Sequence, residues 1–91
     1  MKVKVLSEDS NRLEIEIADE DHTLGNLLRS KLLEDKKVRH AGYQIVHPLT
    51  GGIKLIIQTE GSVKPRDALL KALSEIEEET KEFQEKFKKA T

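Results

Sequence analysis

From Pro65 to Lys88 the sequence has no glycine and no second proline, and its apolar residues recur at spacings of four and three. Leu69, Leu73, Ile76, Thr80, Phe83 and Phe87 make up that seam. A four-three alternation is the pattern of a helix that lays one stripe against another helix. Pro65 suits the first turn, where its missing N–H costs little. Glu77 with Lys81, Glu82 with Lys86 and Glu85 with Lys89 stand four apart, as helix-supporting pairs on the wet side. At about 1.5 Å per residue such a helix runs roughly 35 Å. A strand of about six residues spans only about 20 Å. The helix therefore outruns a small sheet, and Phe83 and Phe87 are left bare in a lone chain. A sustained apolar stripe of that kind marks an interface. The alternative is a helix that frays after Thr80, with both rings folding back locally.

The rest of the chain offers few other means of support. With 91 residues it is expected to form a single domain over 1–91 with a modest core. Cysteine is absent, so disulfides and thiolate chemistry are excluded, and aromatics are limited to Tyr43, Phe83 and Phe87. A thin core without staples is a candidate for stabilisation by a partner. Sixteen basic residues oppose seventeen acidic ones, and the formal net charge of -1 speaks against a dedicated nucleic-acid binder. The Lys and Glu bias resembles that of proteins from hot environments. The start, Met1-Lys2-Val3-Lys4-Val5, lacks the apolar run of a signal peptide. No segment is long and apolar enough to cross a bilayer, so a cytoplasmic location is expected.

Val3 and Val5 alternate with Lys2 and Lys4, and Leu13, Ile15 and Ile17 alternate with Glu14 and Glu16. With the turn cluster Ser7–Asn11 between them they predict a hairpin whose outer face pairs lysines with glutamates. Asp19-Glu20-Asp21 can cap a helix in which Leu24, Leu27, Leu28 and Leu32 share a face, fading across Glu34–Lys37. Gly42–His47 reads as a third strand, with Tyr43, Ile45 and His47 on one face and Pro48 ending it. Thr50-Gly51-Gly52 is a turn, and Ile53, Leu55 and Ile57 mark a fourth strand and a second hairpin. Residues Lys88–Thr91 are expected to fray. The order β-β-α-β-β-α predicts an α+β fold, a four-stranded antiparallel sheet with two helices packed on one face and the C-terminal one long.

Chemistry-bearing patterns are weak. His22, His40 and His47 have no metal-ligand spacing, so no metal or other cofactor is expected. His22 stands at a helix start, where capping explains it, and His47 on a strand, where a structural hydrogen bond does. Glu75–Glu79 reads as a solvated helix face, and nothing marks a nucleophile. Lys36, Lys37, Arg39 and His40 could touch phosphates, or complement the end of the first helix, which is the preferred reading. Gly25-Asn26 is out of place, because glycine costs roughly 1 kcal/mol relative to alanine inside a helix. Either something approaches closely there or the helix starts late. Arg29 near the leucine face could bind a carboxylate or carbonyl.

Asp21-His22-Thr23-Leu24-Gly25-Asn26-Leu27-Leu28-Arg29 resembles the signature of the α-like subunits of multisubunit RNA polymerases. Gly42-Tyr43 with His47-Pro48-Leu49, and Ile56-Ile57-Gln58-Thr59 with Pro65 and Ala68-Leu69, follow in the same order. Together they are similar to the small α-like family, called subunit L in archaea and related to the dimerisation domain of bacterial α. The resemblance covers almost the whole chain. It implies a non-catalytic assembly subunit of DNA-dependent RNA polymerase, with nucleotidyl transfer left to the large subunits. It implies a heterodimer with the larger α-like RNA polymerase subunit of archaea, as a platform for the large catalytic subunits. On the matching positions it implies that Leu24, Leu27, Leu28 and Leu32 pack in the dimer core, extended by Leu69, Leu73, Ile76, Phe83 and Phe87. It implies that His22, Gly25, Asn26 and Arg29 lie toward a large subunit. No membrane contact and no direct nucleic-acid binding are expected. The rival readings are a small nucleic-acid-binding α/β domain, a small enzyme or ligand-binding module, and a generic homodimer on the same seam.

Overall fold

Two strands open the chain, β1 over Val3–Glu8 and β2 over Arg12–Ile17, and they pair antiparallel. The computed structural model describes residues 2–46, 49 and 51–90. The turn between the strands is tighter than the polar cluster suggested, because Ser7 and Glu8 pair with Glu14 and Leu13. Asp9 closes it, its Oδ1 accepting from the amides of Asn11 at 2.9 Å and Arg12 at 2.8 Å. The register shifts between Val5 and Ser7, so Leu6 forms an irregularity on this outermost strand.

Helix α1 runs His22–Leu33. Asp21 caps it, its carboxylate accepting from the Thr23 amide at 2.9 Å. Gly25 and Asn26 therefore lie inside the helix, which rules out a late start. Strand β3 spans Val38–Ile45, four residues earlier than the alternation from Gly42 indicated. Its first half is hidden in the sequence by Arg39 and His40, whose side chains are exposed while Val38 and Ala41 are buried. Strand β4 is Ile53–Thr59, and helix α2 is Pro65–Ala90. The helix continues through Lys88, Lys89 and Ala90 instead of fraying there. The expectations for His47, Pro48 and Thr50 lie outside the described residues.

The sheet order is β1-β2-β4-β3, with every neighbouring pair antiparallel. Alternate residues of the inner strands, Leu13, Ile15 and Ile17 with Ile53, Leu55 and Ile57, point to one buried face. Leu28 and Leu32 of α1 and Ala68 and Ala72 of α2 close that face. The small alanines let α2 approach closely. The opposite face carries Glu14, Glu16, Lys54 and Gln58 and stays half-exposed. Lys4 stands opposite Glu16 as the outer-face pattern implied, but Glu14 turns to Arg12 at 2.6 Å and to Lys54 at 3.5 Å on β4.

Candidate partner interface

Apolar residues that the fold cannot cover collect along α2 and the adjoining ends of β1 and α1. Leu69 and Ile76 are half-buried against the core, whereas Leu70 and Leu73 are exposed, Leu73 to 44%. Beyond Glu79 every described residue of α2 is exposed. Phe83 is 70% and Phe87 60% exposed, and their rings stack on each other with centroids 6.4 Å apart. The rings ride on a continuous helix and do not fold back.

Beside the seam lies an open groove of about 200 Å³ lined by Val3, Ile15, Ile17, Leu24, Leu28, Leu69 and Leu73. Its lining holds no polar residue. Buried strand residues make the floor, and exposed Val3 and Leu73 flank it. Further along α2 a wider cleft of about 350 Å³ is floored by Leu27, Ile76, Thr80 and Phe83. Leu27, 47% exposed, is the α1 residue that continues the stripe across to the second helix.

The two helices are held at this cleft by one cation. The Lys31 ammonium is buried between α1 and α2, hydrogen-bonded to Glu79, with Glu34 Oε1 at 3.4 Å and Glu75 Oε2 at 3.5 Å. The hydrogen bond to Glu79, with the field of Glu34, raises the Lys31 pKa against the opposing effect of burial. One positive charge thus faces three carboxylates. At the other end of α2, Arg66 forks onto Glu8 of β1, with Nε at 2.8 Å and Nη2 at 2.6 Å from its two oxygens. That contact holds the Glu8 carboxyl below the usual glutamate range.

The nine expected interface residues divide in two. Leu27, Leu73, Phe83 and Phe87 are exposed, and Leu24, Leu69 and Ile76 are partly so. Leu28, at 3%, and Leu32, at 1%, are buried in the chain's own core, because α1 turns that side onto the sheet. Leu28 is reached only as groove floor, and Leu32 is a core residue. Val3 and Leu70 belong to the exposed apolar surface and were missed. For Val3 the signal is its alternating strand, whose position at a sheet edge the alternation cannot reveal, while Leu70 stands on α2 beside the seam residue Leu69.

The second expected cluster also divides. Gly25 is buried beneath the Tyr43 ring, where a Cβ would meet Cδ2 at 2.6 Å and Cγ at 2.7 Å. The glycine thus answers a need inside the fold. His22 belongs to the same arrangement, with Nδ1 2.9 Å from the Tyr43 hydroxyl and the rings edge to face. Asn26 and Arg29 point outward, and their side chains have no hydrogen bond or ion pair among the described residues. Among the described residues no three His, Asp or Glu side chains gather as a metal site. Among the same residues no helix is long and apolar enough to cross a membrane.

Residues 12–86 match a family model described as the RNA polymerase Rpb3/Rpb11 dimerisation domain. The DNA-directed RNA polymerase subunit Rpo11 of Sulfurisphaera tokodaii is 44% identical over 88 residues, covering 97% of this chain and 95% of that one. Its counterpart in Saccharolobus solfataricus is 43% identical over 91 residues, covering 100% and 99%. The crystal structure of DNA-directed RNA polymerase subunit L from Thermoplasma acidophilum superposes with a TM-score of 0.84 at 26% identity, covering 97% of this chain and 86% of that one.

Proposed function

The chain belongs to the RNA polymerase Rpb3/Rpb11 dimerisation-domain family, and from that premise we propose that it pairs with the larger α-like polymerase subunit through the α1–α2 seam. It is an assembly subunit of DNA-directed RNA polymerase, in line with its Rpo11 relatives. Within that role it corresponds to the small subunit called L.

The observation that carries the pairing is the uncovered stripe from the apolar groove at Leu73 to the stacked Phe83 and Phe87. Covering it removes large apolar side chains from water, at about 25 cal/mol per Å² of apolar area. Central Leu73, Ile76 and Phe83 are the residues on which the pairing energy would concentrate. The chain contributes no catalytic group in this reading, and it acts in the cytoplasm. His22, Asn26 and Arg29 are exposed on α1, and Asn26 and Arg29, whose side chains have no hydrogen bond or ion pair among the described residues, are the ones offered to a large catalytic subunit. Gly25 and His22 hold Tyr43 and thereby set the surface from which those two project.

The test is co-expression with the larger α-like subunit, followed by affinity capture. Wild-type chain should be retained, and a Leu73→Asp, Phe83→Asp double variant should be lost while keeping its circular dichroism spectrum. Retention of the double variant at wild-type level would refute the seam as the pairing surface.

A further inference from the structure

We propose that the open edge of β1 takes up, as a further strand of the sheet, an extended segment of another polymerase subunit in which aliphatic and acidic residues alternate. Main-chain direction decides what that edge offers. The Ala18 amide donates to the Lys2 carbonyl at 2.8 Å, so the main-chain groups of Lys2 point to β2. In an antiparallel pair that direction alternates along the strand. Lys4, opposite Glu16, therefore also faces β2, while the N–H and C=O of Val3 and Val5 face away from the sheet. Both valines are exposed, and β1 ends the strand order. The other edge strand, β3, has Ala41 buried in its middle and α1 packed on it.

The two faces of the β1 edge differ in chemistry. On the helix side Val3 and Val5 border a groove of about 160 Å³ with Leu13, Ile15, Leu69 and Leu70. Aliphatic side chains at alternate positions of an added strand would fill it. On the solvent side stand Lys2 and Lys4, and neither makes an ion pair among the described residues. Opposite charges directly across a strand pair stabilise it, and like charges oppose it. The added strand therefore carries carboxylates on that face. β2 obeys the same rule on the other side of β1, with Ile15, Glu16 and Ile17 opposite Val5, Lys4 and Val3.

A second copy of the chain is a poor occupant. Setting Val3 against Val5 of the other copy places Lys4 opposite Lys4, and setting Val3 against Val3 places Lys2 opposite Lys4. Setting Val5 against Val5 runs into the register shift between Val5 and Ser7. Lysines on an edge strand guard against such self-pairing. The groove shares Val3 with the one beside the helical seam, but Val5 and Leu70 line this one alone, so loss of either surface leaves the other in place.

The isotope-labelled full-length chain is titrated with a short synthetic peptide alternating valine and glutamate, and with a counterpart alternating valine and lysine. The glutamate peptide should shift the amide resonances of Val3 and Val5 saturably and slow their hydrogen exchange, and the lysine peptide should not. Lys4→Glu should weaken binding about tenfold. Val5→Pro removes an N–H that faces outward, so the chain should keep its circular dichroism spectrum yet lose the peptide. In the assembled polymerase the same two amides should exchange more slowly than in the isolated chain. No binding of the glutamate peptide, equal binding of both peptides, shifts centred on Leu73 and Phe83, binding indifferent to both Lys4→Glu and Val5→Pro, amides unprotected in the polymerase, or a dimer of the chain that Val5→Pro dissolves would each overturn the proposal.

Discussion

Gly25→Ala should destabilise this protein, although the same change stabilises most helices. Alanine in a helix interior is worth roughly 1 kcal/mol over glycine. Here the new methyl would lie 2.6, 2.7 and 2.8 Å from Cδ2, Cγ and Cε2 of Tyr43, well inside van der Waals contact. Those atoms belong to the root and flank of the ring, so either the whole side chain must move or α1 must lift from β3. Overpacking of that kind costs typically about 1–3 kcal/mol, and displacing the Tyr43 hydroxyl from His22 adds up to about 1 kcal/mol. The helix-propensity gain offsets part, which leaves a net loss of about 1–2 kcal/mol. For a domain of this size that lowers Tm by roughly 5–15 °C. Urea titrations of the four chains of a Gly25→Ala, Tyr43→Ala cycle provide the check. With the ring removed, Gly25→Ala should reverse sign and stabilise by about 0.5–1 kcal/mol. A stabilising effect in the native background, or the same destabilisation in both, would refute the role of the ring.

Leu28→Asp and Leu73→Asp should separate folding from pairing. The first places an unpaired charge in the core and should unfold the chain, costing several kcal/mol. The second, on a side chain 44% exposed, should leave the melting curve of the isolated chain nearly unchanged and abolish capture by the larger α-like subunit. Acid titration should expose the Glu8–Arg66 clasp. The folded-state pKa of Glu8 is lowered, so its contribution is present above the unfolded value and fades as pH falls through the folded one. Wild type should therefore lose more stability than Glu8→Gln between about pH 5 and about pH 3 in denaturant titrations. Lys31 runs the other way. Its pKa is raised, so its contribution holds below the unfolded value and fades as pH rises through the folded one. Lys31→Gln should be less stable than wild type at neutral pH, and the gap should narrow on the alkaline limb.

Local periodicity carried most of the fold. Alternation in β2 and β4 reports a face that burial follows residue by residue, whereas the four-three spacing in α2 reports a stripe left largely exposed beside the buried Ala68 and Ala72. What periodicity cannot report is which of two equally apolar sides of a helix meets its own sheet. The leucines of α1 illustrate this: Leu28 and Leu32 face inward while Leu27 and Leu33 face out, and spacing alone treats Leu27 and Leu28 alike. The reason for Gly25 was equally hidden, because it lies in Tyr43, eighteen positions along the chain and on another element. Lys31 shows the limit most clearly. A lysine on the rim of an apolar face reads as solvated, and only the approach of Glu75 and Glu79 from α2 makes burial tolerable.

That ionic contact also fixes where α2 stops being supported. Up to Glu79 the helix is held by Ala68, Ala72, Ile76 and the Lys31 cluster. From Thr80 to Ala90 its residues are exposed, with local pairs such as Glu77–Lys81 at 3.6 Å and Glu82–Lys86 at 2.9 Å. Such pairs contribute only about 0.2–0.5 kcal/mol each, and helices of about a dozen residues are marginal in water without packing. The supported half supplies the costly nucleus, so the projecting turns need only propagate, and their side chains are exposed. Burial of Phe83 and Phe87 against another helix adds about 1.5–3 kcal/mol per ring, comparable to the whole local stability of that segment. On the proposed pairing surface, pairing and ordering of the end of α2 should therefore be one event. Hydrogen exchange reads it directly: in the dilute chain the amides of 81–90 should exchange far faster than those of 68–76. On mixing with the larger α-like subunit their protection should rise by about tenfold or more, as about 1.4 kcal/mol per decade requires. Equal protection of both segments in the dilute chain would mean that the projecting turns hold themselves together, with pairing and ordering uncoupled.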